Sequence, residues 1–217
     1  MPTGSDRRPP GGKRRLTTDR ARTGLKQERA VRTRGQVLDA AAQAFAAKGF
    51  PGVTILEVAE RTGMTKGAVY FHYPSKEALA IAVAEEFYDR LPAIAATVRE
   101  RALPPLESVA ELLTSTAVAF RDDTVIQAGA RLQIERSLIG ASLPMPYVGY
   151  TETVTAWLQE ASDADELTAA DPGLVARVLI SAFFGAQHLS WVLNDRVDIA
   201  ERVNEIVGVV LGVPRPG

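Results

Sequence analysis

Apolar residues fall along this chain with the spacing of helix faces rather than the alternation of strands. Within 27–48, Val31, Leu38, Ala41, Ala42 and Phe45 follow one another at offsets of seven, three, one and three, which line one side of a helix. Gly49 closes that helix, since a residue without Cβ readily takes the left-handed conformation of a helix end. Thr54-Ile55-Leu56-Glu57 has the form of a capping box, in which the Thr54 hydroxyl accepts from the Glu57 amide and the Glu57 carboxylate reaches back to the Thr54 amide. The short helix that starts there runs to Arg61 and breaks at Thr62-Gly63-Met64. Thr65 then caps a third helix from Lys66 to about Phe71, and Pro74 with Ser75 precedes a fourth. Further helices are expected at 76–101 (with a kink at Pro92), 105–121, 124–137, 148–161, 172–194 and 199–211, parted by proline-containing loops. Asp171 and Pro172 suit a cap and a first turn. No segment reads as a strand, so the predicted class is all-α.

Composition and charge then divide the chain. Its 217 residues, 46% hydrophobic and 24% charged, suit one globular domain or two small ones sharing a core. The lack of cysteine excludes disulfides and thiolate metal sites and fits a cytoplasmic location. The uncharged stretch 178–194 is interrupted by Gln187, His188, Ser190 and Asn194 and falls short of a membrane span, and the basic N-terminus lacks the apolar run of a secretory signal. The net charge of -1 conceals an asymmetry: residues 1–77 carry 15 Lys and Arg against 7 Asp and Glu, and residues 78–217 carry 10 against 19. The basic part calls for a polyanion, whereas the acidic part repels phosphates and is left for dimerisation and ligand sensing. Residues 1–24, rich in Arg, Pro, Gly and Thr, read as a flexible basic arm that either touches DNA or merely solubilises.

The chemistry-bearing motif is the pair of short helices about Gly63. Two such helices joined by a glycine turn, preceded by a packing helix and rich in cations, form a helix-turn-helix whose second member enters the major groove. Gly67 and Ala68 are small enough for close approach, Thr65 with the free amides suits a phosphate, and Lys66 adds charge. Tyr70 is placed to reach a thymine methyl or a phosphate; Thr54, His72, Tyr73 and Lys76 complete the expected DNA-binding set. Val69 and Phe71 are expected to pack inward. With two histidines in all and no G-x-S-x-G, H-E-x-x-H or phosphate loop, neither a catalytic site, a metal site nor a cofactor is expected.

Residues 54–79, TILEVAERTGMTKGAVYFHYPSKEAL, resemble the DNA-binding signature of TetR-family transcriptional repressors. The resemblance implies a three-helix DNA-binding domain at 25–75, a linking fourth helix, and a helical ligand-binding domain at 76–217 that dimerises through its last two long helices. Phe120-Arg121-Asp122-Asp123, the stretch QAGARLQ at 127–133 and LPMPY at 143–147 are similar to γ-butyrolactone-type autoregulator receptors of actinomycetes, including those that sense butenolides or furans and control antibiotic biosynthesis. A repressor released from a palindromic operator by a small hydrophobic signal is what this implies; a broad-specificity drug sensor is the alternative on the same fold. A pocket in such a bundle needs an apolar lining with a few inward polar groups. Tyr88, Gln133, Tyr147, Tyr150, Phe184, Gln187, His188 and Trp191 are the candidates, ordinary packing being the alternative for each. The stretch 172–194 is apolar on too many sides for a surface helix, and with the run 206–211 it would complete a four-helix homodimer interface.

Overall fold

The computed structural model describes residues 14–145, 147–167 and 171–212. Among them the elements are α1 (Arg14–Gly52), α2 (Ile55–Thr62), α3 (Lys66–His72), α4 (Lys76–Arg99), α5 (Pro105–Asp122), α6 (Thr124–Ile134), a 3₁₀ turn at Arg136–Leu138, α7 (Val148–Asp163), α8 (Pro172–Asn194) and α9 (Ile199–Leu211). The described residues contain no strand, as the apolar spacing requires.

Side-chain caps begin the central helices. Thr54 Oγ1 accepts from the Glu57 amide (3.2 Å), Thr65 Oγ1 from the Ala68 amide (3.2 Å) and Ser75 Oγ from the Ala78 amide (3.1 Å). Gly63 ends α2 in the left-handed region at φ 66°, and its amide donates back to Ala59 and Glu60. Gly49 leaves helical geometry inside α1 at φ 71°, so Phe50–Gly52 form a separate turn. Glu57 departs from the expected box: its carboxylate is taken by Lys48 Nζ at 2.9 Å and Arg61 Nη2 at 3.1 Å. The Lys48 hydrogen bond holds its carboxyl below the usual range and ties α2 to the last turn of α1.

Two expectations for α1 change. Of the arm expected at 1–24, residues 1–13 lie outside the described residues, whereas from Arg14 the backbone is helical and continuous with α1. Poor apolar content denies this stretch a core, but an existing helix propagates with one hydrogen bond per residue added, and Arg, Leu and Ala propagate it well. Val31, assigned to the buried face, is 69% exposed; the buried positions start at Val37 and include Ala40, Ala41, Ala44 and Phe45.

Packing forms two cores. The N-terminal core gathers Phe45, Val58, Val69 and Tyr73 and continues through Leu79 and Val83 of α4 to Val125, Ala128 and Leu132 of α6. The C-terminal core gathers Phe87 and Leu91 of α4, Leu112 and Phe120 of α5, Ile126 and Ala130 of α6, and residues of α7, α8 and α9. Both α4 and α6 therefore serve both cores. They meet at Gly129, where an added Cβ would lie 2.3 Å from Phe87 Cβ, so only glycine permits the approach. By length and composition α8 meets the requirement for crossing a membrane, which the shorter stretch 178–194 was expected to miss. In the fold it packs on α7 and α9 and buries Leu179, Phe183 and Gln187.

Gly129→Ala overfills the α4–α6 contact and is expected to destabilise the chain by about 1–3 kcal/mol, measured as a lowered midpoint in urea unfolding followed by circular dichroism.

Candidate nucleic-acid interface and ligand chamber

The helix α3 is held by Val69, which is fully buried, and presents its other faces outward. Thr54, Thr65, Lys66, Gly67 and Tyr70 are exposed, and Ala68 and His72 are half-buried, so seven of the nine expected DNA contacts are at least partly accessible. Lys66 Nζ stands 5.6 Å from the centroid of the Tyr70 ring, which puts a cation beside the aromatic at the start of the helix. The remaining two expected contacts have partners within the protein. Tyr73 is 4% exposed: its ring packs in the N-terminal core beneath the Arg34 guanidinium (5.3 Å), with its hydroxyl 3.5 Å from the Arg34 carbonyl oxygen. Lys76 Nζ donates to the Phe50 carbonyl at 3.0 Å and lies 4.2 Å from the centroid of that ring, which commits it to bracing the α1–α4 junction. Phe71 was expected inside and is 83% exposed. At 3.6 residues per turn it lies about 160° from Val69, and a seven-residue helix with one buried face cannot bury both.

A second site lies in the C-terminal core. Tyr147 meets Phe87, Tyr88 and Phe184, stacking on the last with centroids 3.7 Å apart, and Phe120 and Phe183 extend the aromatic cluster beyond them. Among the described residues two buried polar atoms here, Tyr88 Oη and Gln133 Oε1, make no hydrogen bond of ordinary distance and angle, although the Tyr147 backbone lies close enough to Tyr88 to offset part of the effect of burial on its phenol. Gln133 Nε2 reaches the Pro144 carbonyl at 3.5 Å. Burial pushes the Tyr88 phenol up to about 12 and raises that of Tyr147 as well, so both hydroxyls stay protonated and able to donate near neutral pH. Tyr150, also buried, is already satisfied: its hydroxyl donates to Thr116 Oγ1 (2.8 Å), which donates to the Leu112 carbonyl (2.7 Å). Beside these residues a cavity of about 250 Å³ opens between α4 and α7, lined by Tyr88, Leu91, Pro92, Ala95, Met145, Val148, Gly149, Tyr150 and Thr153.

Gln187 is buried and Phe184 half-buried, as a lining requires. His188 and Trp191 are not brought into the chamber. His188 is exposed and meets the edge of Trp191 at 6.0 Å, and Trp191 sits against the guanidinium groups of Arg131 (5.3 Å) and Arg196 (4.9 Å). One turn beyond Gln187, α8 has passed the aromatic cluster and faces α6 and the α8–α9 turn. Leu91, Pro92 and Met145 were missed as lining residues, since in a helix or loop pattern they look like core or linker.

The two sites are joined through α6. Arg131 Nη1 donates to the Ala46 carbonyl (3.0 Å) and Arg131 Nε to Glu135 Oε1 (2.9 Å), while the Phe50 amide donates to Glu135 Oε2 (2.6 Å). This latch grips the end of α1 and lies one half-turn on either side of Gln133. No sequence motif signals it, because its acceptor and donor on α1 are backbone groups.

A basic helix-turn-helix with a short exposed second helix, joined to a helical domain with an aromatic cluster, has the architecture of a DNA-binding transcriptional regulator. Comparison with known proteins agrees. Residues 37–83 match the family of bacterial regulatory proteins, tetR family. The A-factor receptor protein of Streptomyces griseus is 32% identical over 195 residues, covering 88% of this chain and 67% of that protein. A solved structure bearing on the control of antibiotic production by bacterial hormones is 51% identical, covers 86% of this chain and 99% of its own, and superposes with a TM-score of 0.79. A γ-butyrolactone receptor, an ArpA-like protein, superposes with a TM-score of 0.70 at 27% identity, covering 84% of this chain and 87% of its own. The chain belongs to the TetR family of transcriptional regulators.

Lys66→Ala should weaken duplex binding about tenfold and lower the slope of log affinity against log salt by about 1. Tyr73→Phe, whose ring never leaves the core, should leave affinity within about twofold. Fluorescence anisotropy at several salt concentrations measures both.

Proposed function

We propose that this regulator is a repressor that binds a palindromic operator as a homodimer and is released by a small diffusible signal of the γ-butyrolactone, butenolide or furan type. The observation that carries the reading is a pair of buried polar atoms without a hydrogen-bond partner among the described residues, Gln133 Oε1 and Tyr88 Oη, the second on a residue that lines an apolar cavity. A buried polar atom without a partner costs about 1–3 kcal/mol, so a molecule that supplies both partners recovers that free energy on binding. Gln133 Oε1 asks for a hydroxyl donor, Tyr88 for a carbonyl or ring oxygen. Leu91, Pro92, Ala95 and Met145 suit an alkyl chain. A small oxygenated ring with a short hydrocarbon tail meets all three demands. The A-factor receptor and γ-butyrolactone receptor among its relatives support the same class, and the antibiotic-production structure supports a role in secondary metabolism.

The dimer reading rests on the outer face of α8 and α9. Leu174, Val178, Leu189, Val192, Leu193 and Val209 are exposed there, and a groove of about 490 Å³ runs between Gly185 and Leu189 of α8 and Ile206 and Val209 of α9. A second copy would cover this face as a four-helix interface and set two α3 helices one DNA turn apart, about 34–36 Å. The signal acts through α6: repositioning Gln133 shifts Arg131 and Glu135, which hold the end of α1 and hence the spacing of the two α3 helices. A hundredfold loss of operator affinity needs about 2.7 kcal/mol of difference between the ligand affinities of the two conformers. The repressor acts in the cytoplasm, where operator and signal meet.

Gln133→Leu and Tyr88→Phe each remove one of the two polar atoms. Operator binding in a mobility-shift assay should be unchanged, and the lactone or furan concentration that releases half the DNA should rise roughly 5- to 150-fold. Release of both variants at wild-type concentrations would remove these atoms from signal recognition. Release by flat polycyclic drugs and not by lactones or furans would make the chain a drug-sensing regulator instead.

A further inference from the structure

The centre of the outward face of α3 carries no hydrogen-bonding side chain. Taking Val69 as the buried anchor, Phe71 lies about 160° around the helix, and Gly67, one turn earlier, lies about 40° from Phe71. Gly67 has open space where a Cβ would stand, with nothing nearer than Thr65 Oγ1 at 4.0 Å. Phe71 is 83% exposed, and the ring beside it is that of its chain neighbour His72, edge-on at 5.2 Å. The groups able to bond phosphate or polar base edges, Lys66, Tyr70 and His72, flank this stripe.

We propose that Phe71 is a specificity-determining residue that reads thymine C5-methyl groups in the major groove. The inference rests on α3 being the helix that enters DNA. A phenyl ring has no donor for a phosphate oxygen, and pressing it on the backbone would strip water from charge with nothing in return. In the major groove the apolar protrusion is the thymine methyl, against base edges that are otherwise donors and acceptors. Gly67 lets the backbone come close, and the ring one turn later then reaches the groove floor. Recognition by this stripe is therefore apolar contact, and it selects A·T pairs by methyl position, with the flanking Lys66 and Tyr70 setting register.

The test uses the full chain and duplexes enriched by it from a random library. In the enriched duplex each thymine is replaced in turn by deoxyuridine, which removes the methyl and nothing else, and affinity is read by fluorescence anisotropy. The wild-type chain should lose about fourfold at one or two symmetry-related positions, the effect of uncovering one methyl-sized group. Phe71→Ala should bind the all-thymine duplex about that much more weakly, be indifferent to uracil at those positions, and keep the wild-type salt slope. Phe71→Leu should restore part of the methyl sensitivity. A ring with a purely structural role would change none of the position-specific differences. Uracil-insensitive wild-type binding, or a Phe71→Ala chain that keeps the full uracil penalty, overturns the proposal and leaves the DNA-binding reading intact. Failure to enrich any duplex overturns both.

Discussion

The geometry of this regulator depends on one helix being buried on two sides. Val125, Ala128 and Leu132 of α6 pack into the N-terminal core, and Ile126 and Ala130 pack into the C-terminal core. Offsets of three and four residues place each set on its own face, so α6 is a shared wall rather than a member of either unit. The approach of Gly129 to Phe87 allows no slack between α6 and α4, and Arg131 with Glu135 fastens the same helix to the end of α1. Close-packed interiors yield by discrete rearrangement, not gradual deformation. This shared wall is the route by which the proposed signal would reach the end of α1.

The chamber has the opposite character, being incompletely satisfied. Tyr147 stands in the left-handed backbone region at φ 60°, a conformation that costs a non-glycine residue roughly 1–2 kcal/mol, and its ring fills the space against Phe184 and Phe87. Tyr88 and Gln133 each keep a polar atom without a hydrogen-bond partner among the described residues, whereas the Tyr150–Thr116 pair is closed upon itself. The contrast separates a polar pair that closes upon itself from polar atoms left open, the feature on which the proposed signal recognition rests.

Most helix boundaries were legible because caps and breakers are local. Thr54, Thr65, Ser75, Asp171 and Gly63 each act within four residues of themselves, and the structure puts every one at the helix end expected of it. Side-chain partners were less legible. Glu57 is claimed by Lys48 on a different helix, Tyr73 by Arg34, and Trp191 by two arginines, one on α6 and one in the α8–α9 turn. Those competitors stand far away in the chain or across a turn, and helix periodicity carries no information about them. Val31 failed for a related reason: it has the spacing of a buried face, but the buried face of α1 begins only at Val37.

The all-α class, the order of the helices, the helix-turn-helix and the division into a basic and an acidic half were properties of the amino-acid sequence, since each follows from local hydrogen bonding, apolar spacing or summed charge. Which residues of α3 face outward, which polar atoms of the C-terminal domain lack partners among the described residues, and how α6 comes to pack in both cores were decided by tertiary packing. These depend on what stands across a contact from each residue, and a chain acquires such neighbours only when its helices meet.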